Sequence, residues 1–143
     1  METFASTDSS AVSNNFSFYR VLNSVFAFLY IHGISDFSMD FHQWLFHYQS
    51  SCPECSILTS LHFVERDGRY YSRQVEEALS LLESLGLIRR DYSPYALLFI
   101  HLSYSIPIAR QILSLIPDGV IHDEVSLLSR SLLRDLHKDS IHG

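Results

Sequence analysis

Ser72-Arg73-Gln74-Val75-Glu76-Glu77-Ala78-Leu79-Ser80-Leu81-Leu82-Glu83-Ser84-Leu85-Gly86-Leu87-Ile88-Arg89-Arg90 is the stretch that decides the fold. Ser72 is a good N-cap, since its hydroxyl can accept from an unpaired first-turn N–H. Val75, Ala78, Leu79, Leu82 and Leu85 recur at three- and four-residue steps and predict one buried stripe. Gly86 stops the helix abruptly, which lets the chain reverse into a strand. Leu87 and Ile88 then cover the core beneath the helix. Asp91–Pro94 reads as a turn and Tyr95–Leu102 as the second arm of a β-hairpin.

Upstream, Phe18, Val21, Leu22, Val25, Phe28, Leu29 and His32 predict a first helix from about Phe16 to His32, with Gly33 as its cap. Phe41, Trp44, Leu45 and Tyr48 predict a second helix from about Met39 to Ser50, capped by Ser38 or Asp40. Ile57–Val64 is open between a short helix and a strand from Leu61 to Val64. Arg66-Asp67-Gly68-Arg69 is a turn signal. Downstream, Pro107 suits the first turn of a helix reaching Ile116. Val125, Leu128, Leu132 and Leu136 mark a last helix from about His122 to Leu136. Residues 1–14 are expected to be a disordered tail, 15–138 a single winged-helix-like domain, and 139–143 a C-terminal tail.

The whole chain has 143 residues, 47% of them apolar and 18% charged, enough for one real core. Sixteen acidic against ten basic residues give a net charge of −6, which argues against a surface that grips nucleic acid or anionic lipid throughout. The longest apolar runs, Val25–Ile31 and Ala96–Ile100, fall far below the ~20 residues of a membrane span. The polar, acidic start carries no basic stretch ahead of an apolar one. A cytoplasmic protein without membrane contact is expected.

Helices followed by a β-hairpin give the order of a mainly α (α+β) winged helix-turn-helix, with a short wing and extra C-terminal helices. Asp40–Phe46, Phe63-Val64, Gly68-Arg69-Tyr70-Tyr71-Ser72 and Gly86-Leu87-Ile88 make the chain similar, from about Phe16 to Leu133, to Panacea-domain and YwgA-like winged-helix proteins. It lacks that group's Gly-Pro step and second-helix lysine. The resemblance implies a non-enzymatic, antitoxin-like or defence-associated module that binds and neutralises a partner protein.

A winged helix invites a DNA reading, with Arg69, Arg73, Arg89 and Arg90 on phosphates around the Ser72–Leu85 helix. The outer face of that helix instead offers Glu76, Glu77 and Glu83 against Arg73, which a groove of negative potential disfavours. DNA binding is therefore the alternative. The aromatic wealth of the first third is the stronger pointer. Tyr19, Phe26 and Tyr30 form a second stripe on the first helix, while Trp44 and Phe46 on the second point ~160° apart. Tyr19, Phe26, Tyr30, Trp44, Phe46 and Tyr48 are thus candidates for a partner or homodimer surface, the plainer reading being a core between helices.

Cys52-Pro53-Glu54-Cys55 is a lone CxxC. Two ordinary thiols are expected, with a labile disulfide or a zinc site completed by His42, His47 or His62 as alternatives. The eight histidines show no ligand spacing, and nucleophile elbows and phosphate loops are missing from the sequence. No enzyme and no cofactor is expected.

Overall fold

The computed structural model describes residues 18–53, 55–92 and 97–142. The decisive stretch folds as α4, Arg73–Ser84, with the Ser72 hydroxyl accepting from Val75 N at 3.4 Å. At its end Gly86 takes φ +77°. Its N–H bonds to Glu83 O, and Leu87 N–H reaches back to Leu82 O, each at 3.0 Å. This double bond to the last turn satisfies two carbonyls that the helix cannot, and it needs a left-handed residue. The chain therefore reverses at once into β4, Ile88–Tyr92, which pairs antiparallel with β5, Leu98–Leu102. Leu85, expected in the buried stripe, is the C-cap and is 55% exposed. The reversal carries it away from the core that Leu82 fills.

α1 occupies residues 18–31 and ends on the same device, with Ile34 N–H bonded to Leu29 O at 3.0 Å. A strand that the sequence reading did not foresee follows. β1, Asp36–Met39, pairs with β5, so the sheet order is β1-β5-β4, all antiparallel. Its alternation covers only Phe37 and Met39 inward, too short a pattern to read as period two. α2, Phe41–Ser51, starts on Asp40, whose carboxylate accepts from Gln43 N.

The ambiguous stretch takes the short-helix reading; the expected strand over Leu61–Val64 does not form, and only Val64 belongs to a strand, one that runs onward. α3 is a single turn, Ser56–Thr59, and β2 is Val64–Arg66. β2 pairs with β3, Arg69–Tyr71, across Asp67 (φ 53°) and Gly68 (φ 77°). Two central residues with positive φ match the twist of a tight hairpin. α5, Ile106–Ser114, carries Pro107 in its first turn and Ser105 as cap. α6, Val120–His142, runs past Leu136, so the expected tail at 139–143 is helix as far as His142. The expected N-terminal tail, residues 1–14, and the tip of the hairpin, 93–96, lie outside the described residues.

The result is an α+β architecture with two small antiparallel sheets among the described residues. The core is built from Leu22, Phe26 and Leu29 of α1, Phe41 and Leu45 of α2, and Leu79 and Leu82 of α4. Ile100 and Leu102 of β5 and Leu132 of α6 complete it. Each such side chain contributes ~1.5–3 kcal/mol relative to exposure. No described helix is long and apolar enough to cross a membrane.

Ser129 sits within α6 at 0% exposure, and its hydroxyl has no hydrogen-bond partner among the described residues. An unmade buried hydrogen bond is costly. Ser129→Ala is therefore expected to stabilise the fold by about 1 kcal/mol, raising the melting temperature by roughly 3 °C. Thermal denaturation by circular dichroism checks this, and a lower melting temperature would contradict it.

Candidate interaction surfaces

The aromatic residues of α2 are met largely by the chain itself. Trp44 Nε1 donates to Asp135 Oδ2 of α6 at 2.7 Å, and the indole stacks on Tyr48 with ring centroids 5.2 Å apart. On the other face, Phe46 lies flat on Tyr70 of β3 at 3.6 Å and meets the edge of Phe63. Gln43 Oε1 fastens the same hairpin by accepting from Tyr70 N at 3.1 Å. The two apolar faces of α2 thus have two intramolecular covers, α6 and the β2–β3 hairpin.

Of the six aromatic candidates, Phe26 is excluded from any surface. It is wholly buried between Phe37 and Phe41, at 6.0 and 5.8 Å. Tyr19, Tyr30, Trp44 and Tyr48 are half-buried and pack against the core, and Phe46 is half-buried against Tyr70 and Phe63. Tyr30 lies beside Tyr104, whose phenol donates to Asn23 Oδ1 at 2.6 Å. Burial, with a smaller contribution from Tyr19, pushes the Tyr104 phenol well above its ordinary range.

The four candidate arginines are not brought together. Arg89 and Arg90 are strand neighbours, so they point to opposite sheet faces. Arg89 is exposed, whereas the Arg90 side chain is only 7% exposed beneath α4. Its guanidinium reaches Glu76 at 2.9 Å, Glu83 at 3.1 Å and Ser80 Oγ at 3.1 Å. As a phosphate ligand Arg90 is therefore ruled out by its place in the fold: it is an internal clamp between β4 and α4. Arg73 pairs with Glu77 one turn on at 3.1 Å, both well exposed, a contact worth well under ~1 kcal/mol. Arg69 stands at the tip of the β2–β3 hairpin, exposed.

His42 joins α2 to this clamp. Its Nδ1 accepts the backbone N–H of Ser72 at 3.1 Å, so the ring proton resides on Nε2, which faces Glu76 Oε1 at 3.7 Å. The ring stacks on Tyr71. Burial holds the imidazole below its ordinary pKa, although Glu76 and Asp40 act in the opposite sense.

Cys52 and Cys55 are both buried and are joined as a disulfide, with Cα atoms 5.7 Å apart. The two-thiol reading gives way to this pairing. Among the described residues no group of three or more His, Cys, Asp or Glu converges as a metal ion would require.

The least covered apolar surface is one the sequence reading did not single out. α5 buries only Ala109, while Ile106, Ile108 and Leu115 (61%) are exposed, as is Leu127 of α6. Beside them a cleft of about 120 Å³ runs between α1, α5 and α6, lined by Val21, Ile112, Leu115, Ile116, Ile121 and Val125. The available signal was local. In Ile-Pro-Ile-Ala-Arg-Gln-Ile-Leu, isoleucines occupy more of the helix circumference than one core contact can cover.

Comparison of the chain with protein-family models, curated proteins and solved structures gives no match.

Two outcomes follow from the clamp. Arg90→Met leaves Glu76 and Glu83 facing one another, with an expected loss of about 2–3 kcal/mol. Adding Glu76→Gln and Glu83→Gln is expected to recover part of it, as read by urea denaturation. His42 sets a pH dependence. Its folded pKa lies below the unfolded value near 6.5, so its contribution is complete above that pH. The contribution is lost as pH falls from there toward the folded value, because only the unfolded chain takes up the proton. Between pH 7 and 5.5 the wild type should lose more thermal stability than His42→Gln; parallel losses would refute this assignment.

Proposed function

We propose that the chain is a small winged-helix protein that works in the cytoplasm as a non-enzymatic protein-interaction module, in the manner of an antitoxin-like or defence-associated binder. The winged-helix reading rests on the order α1-β1-α2-α3-β2-β3-α4-β4-β5, in which α3 and the β2–β3 hairpin are inserted between α2 and α4, together with the strand order β1-β5-β4. In that arrangement α4 stands where a recognition helix would stand and β4–β5 is the wing.

One observation carries the functional reading. Glu76 and Glu83, on the flank of α4 toward β4, hold the buried Arg90, and on the exposed side Glu77 pairs with Arg73. Arginines neutralised in this way leave the helix little positive charge for a phosphate backbone. α4 exposes Leu81 and Leu85, but the larger group of uncovered aliphatic side chains is on α5 and α6, where Ile106, Ile108, Leu115 and Leu127 offer anchors. This moves the contact surface from the aromatic faces of α1 and α2 to α5. The resemblance to the Panacea-domain and YwgA-like group points the same way, toward a protein partner.

The test is affinity capture of the tagged full chain from its own host, with and without nuclease, beside Ile108→Glu and Leu115→Glu variants. A stoichiometric protein should survive nuclease with the wild type. Capture should fall at least ten-fold with either variant while circular dichroism is unchanged. Recovery of nucleic acid, with any bound protein lost on nuclease treatment, would replace this reading with the DNA-binding regulator.

A further inference from the structure

The outer face of the three-stranded sheet carries side chains that neither the core nor the α5 surface uses. Strand alternation places Asp36 and Ser38 of β1, Phe99 and His101 of β5, and Arg89 and Asp91 of β4 on that face. The register arranges them in two rows, Asp36–His101–Arg89 and Ser38–Phe99–Asp91. Phe99 is 46% exposed although it stands on the middle strand. These residues line a recess of about 480 Å³, within the size range of small-molecule sites.

The charges on this face are unevenly engaged. Asp36 accepts a hydrogen bond from His101 Nδ1, and Ser35 Oγ donates to its other oxygen. These contacts, the His101 bond foremost, hold the Asp36 carboxyl below the usual carboxylate range. Arg89 and Asp91, by contrast, form no ion pair within 4.0 Å among the described residues. Two residues apart on one strand, they stand ~7 Å from each other beside an open aromatic ring. A ligand that satisfies all three has a flat ring, N–H donors on one edge and an anion at the other end.

We propose that this face binds a guanine nucleotide, with the base stacked on Phe99, its N1–H and N2–H donating to the Asp91 carboxylate, and its phosphate on the Arg89 guanidinium beside His101. Stacking on an exposed sheet aromatic accepts any base. The carboxylate selects guanine, because guanine alone among the common bases presents two adjacent N–H donors on its pairing edge. A planar guanidinium suits the phosphate through paired hydrogen bonds. A free nucleotide and a guanine within single-stranded RNA share this chemistry.

The test is calorimetric titration of the full chain with GMP, AMP, guanosine, inorganic phosphate and a single-stranded RNA oligonucleotide containing one guanine. GMP should bind saturably, with AMP, guanosine and phosphate each at least five-fold weaker. Phe99→Ala should weaken GMP five-fold or more, in line with the cost of losing one base stack. Arg89→Gln should weaken GMP while leaving guanosine unchanged, and Asp91→Asn should abolish the preference for GMP over AMP. All three positions are exposed, and circular dichroism checks that each variant keeps the wild-type fold. Binding of the oligonucleotide without GMP supports the site and identifies its source as single-stranded RNA. Phosphate binding as tightly as GMP, GMP affinity unchanged in Phe99→Ala, or no heat from any probe at millimolar concentration overturns the proposal.

Discussion

The Arg90 guanidinium is the tie on which the arrangement of α4, β4 and α2 depends. It lies under α4 and holds Glu76 and Glu83, about two turns apart, against the first strand of the hairpin. Glu76 is shared with His42, so the same carboxylate that anchors β4 also faces α2. A buried cation without these partners would be strongly unfavourable, and two facing carboxylates without the cation would repel. The network therefore admits one relative placement of the three elements. The Glu76 and Glu83 carboxylates stay partly hydrated at the helix surface, which lowers the cost of keeping them there.

That tie also shapes what the molecule can bind. A helix whose carboxylates already hold its neighbouring arginines has little to offer a phosphate backbone. The β2–β3 hairpin has a comparable effect on α2. By laying Tyr70 on Phe46 and fixing itself through Gln43, it covers a face that would otherwise be the widest aromatic surface of the chain. α6 covers the opposite side through Asp135 and Trp44. Much of the apolar surface left uncovered is aliphatic, on α5, and among the described residues Phe99 on the sheet is an exposed aromatic ring.

These assignments separate two chemistries on two parts of the fold. Ile108 and Leu115 suit a desolvating, side-chain-in-cleft contact, as protein partners make. Phe99, Arg89 and Asp91 suit a small ligand with a flat ring and opposite polar ends. The two sets stand on different elements, α5 and the β1-β5-β4 sheet, so each can be altered without touching the other.

Much of the fold was legible in the sequence because its signals are local. Ser72 and Gly86 bracket α4 through hydrogen bonds to residues three to five positions away, and Asp67-Gly68 makes a turn by its own backbone preference. The stripe of Val125, Leu128, Leu132 and Leu136 likewise announced α6. β1 was not legible, since four residues are too few to show alternation and its pairing with β5 joins segments some sixty residues apart. The fates of Phe26, Leu85 and Arg90 were not legible either. An aromatic stripe on a helix reads the same whether a sheet or solvent lies against it, and an Arg-Arg pair on a strand does not say which member turns inward. By itself the sequence determined where helices begin, where they stop and which residues seek burial, because those depend on neighbours along the chain. Only the tertiary structure decided which aromatic faces are covered and which cations are consumed, because those depend on partners that packing brings together.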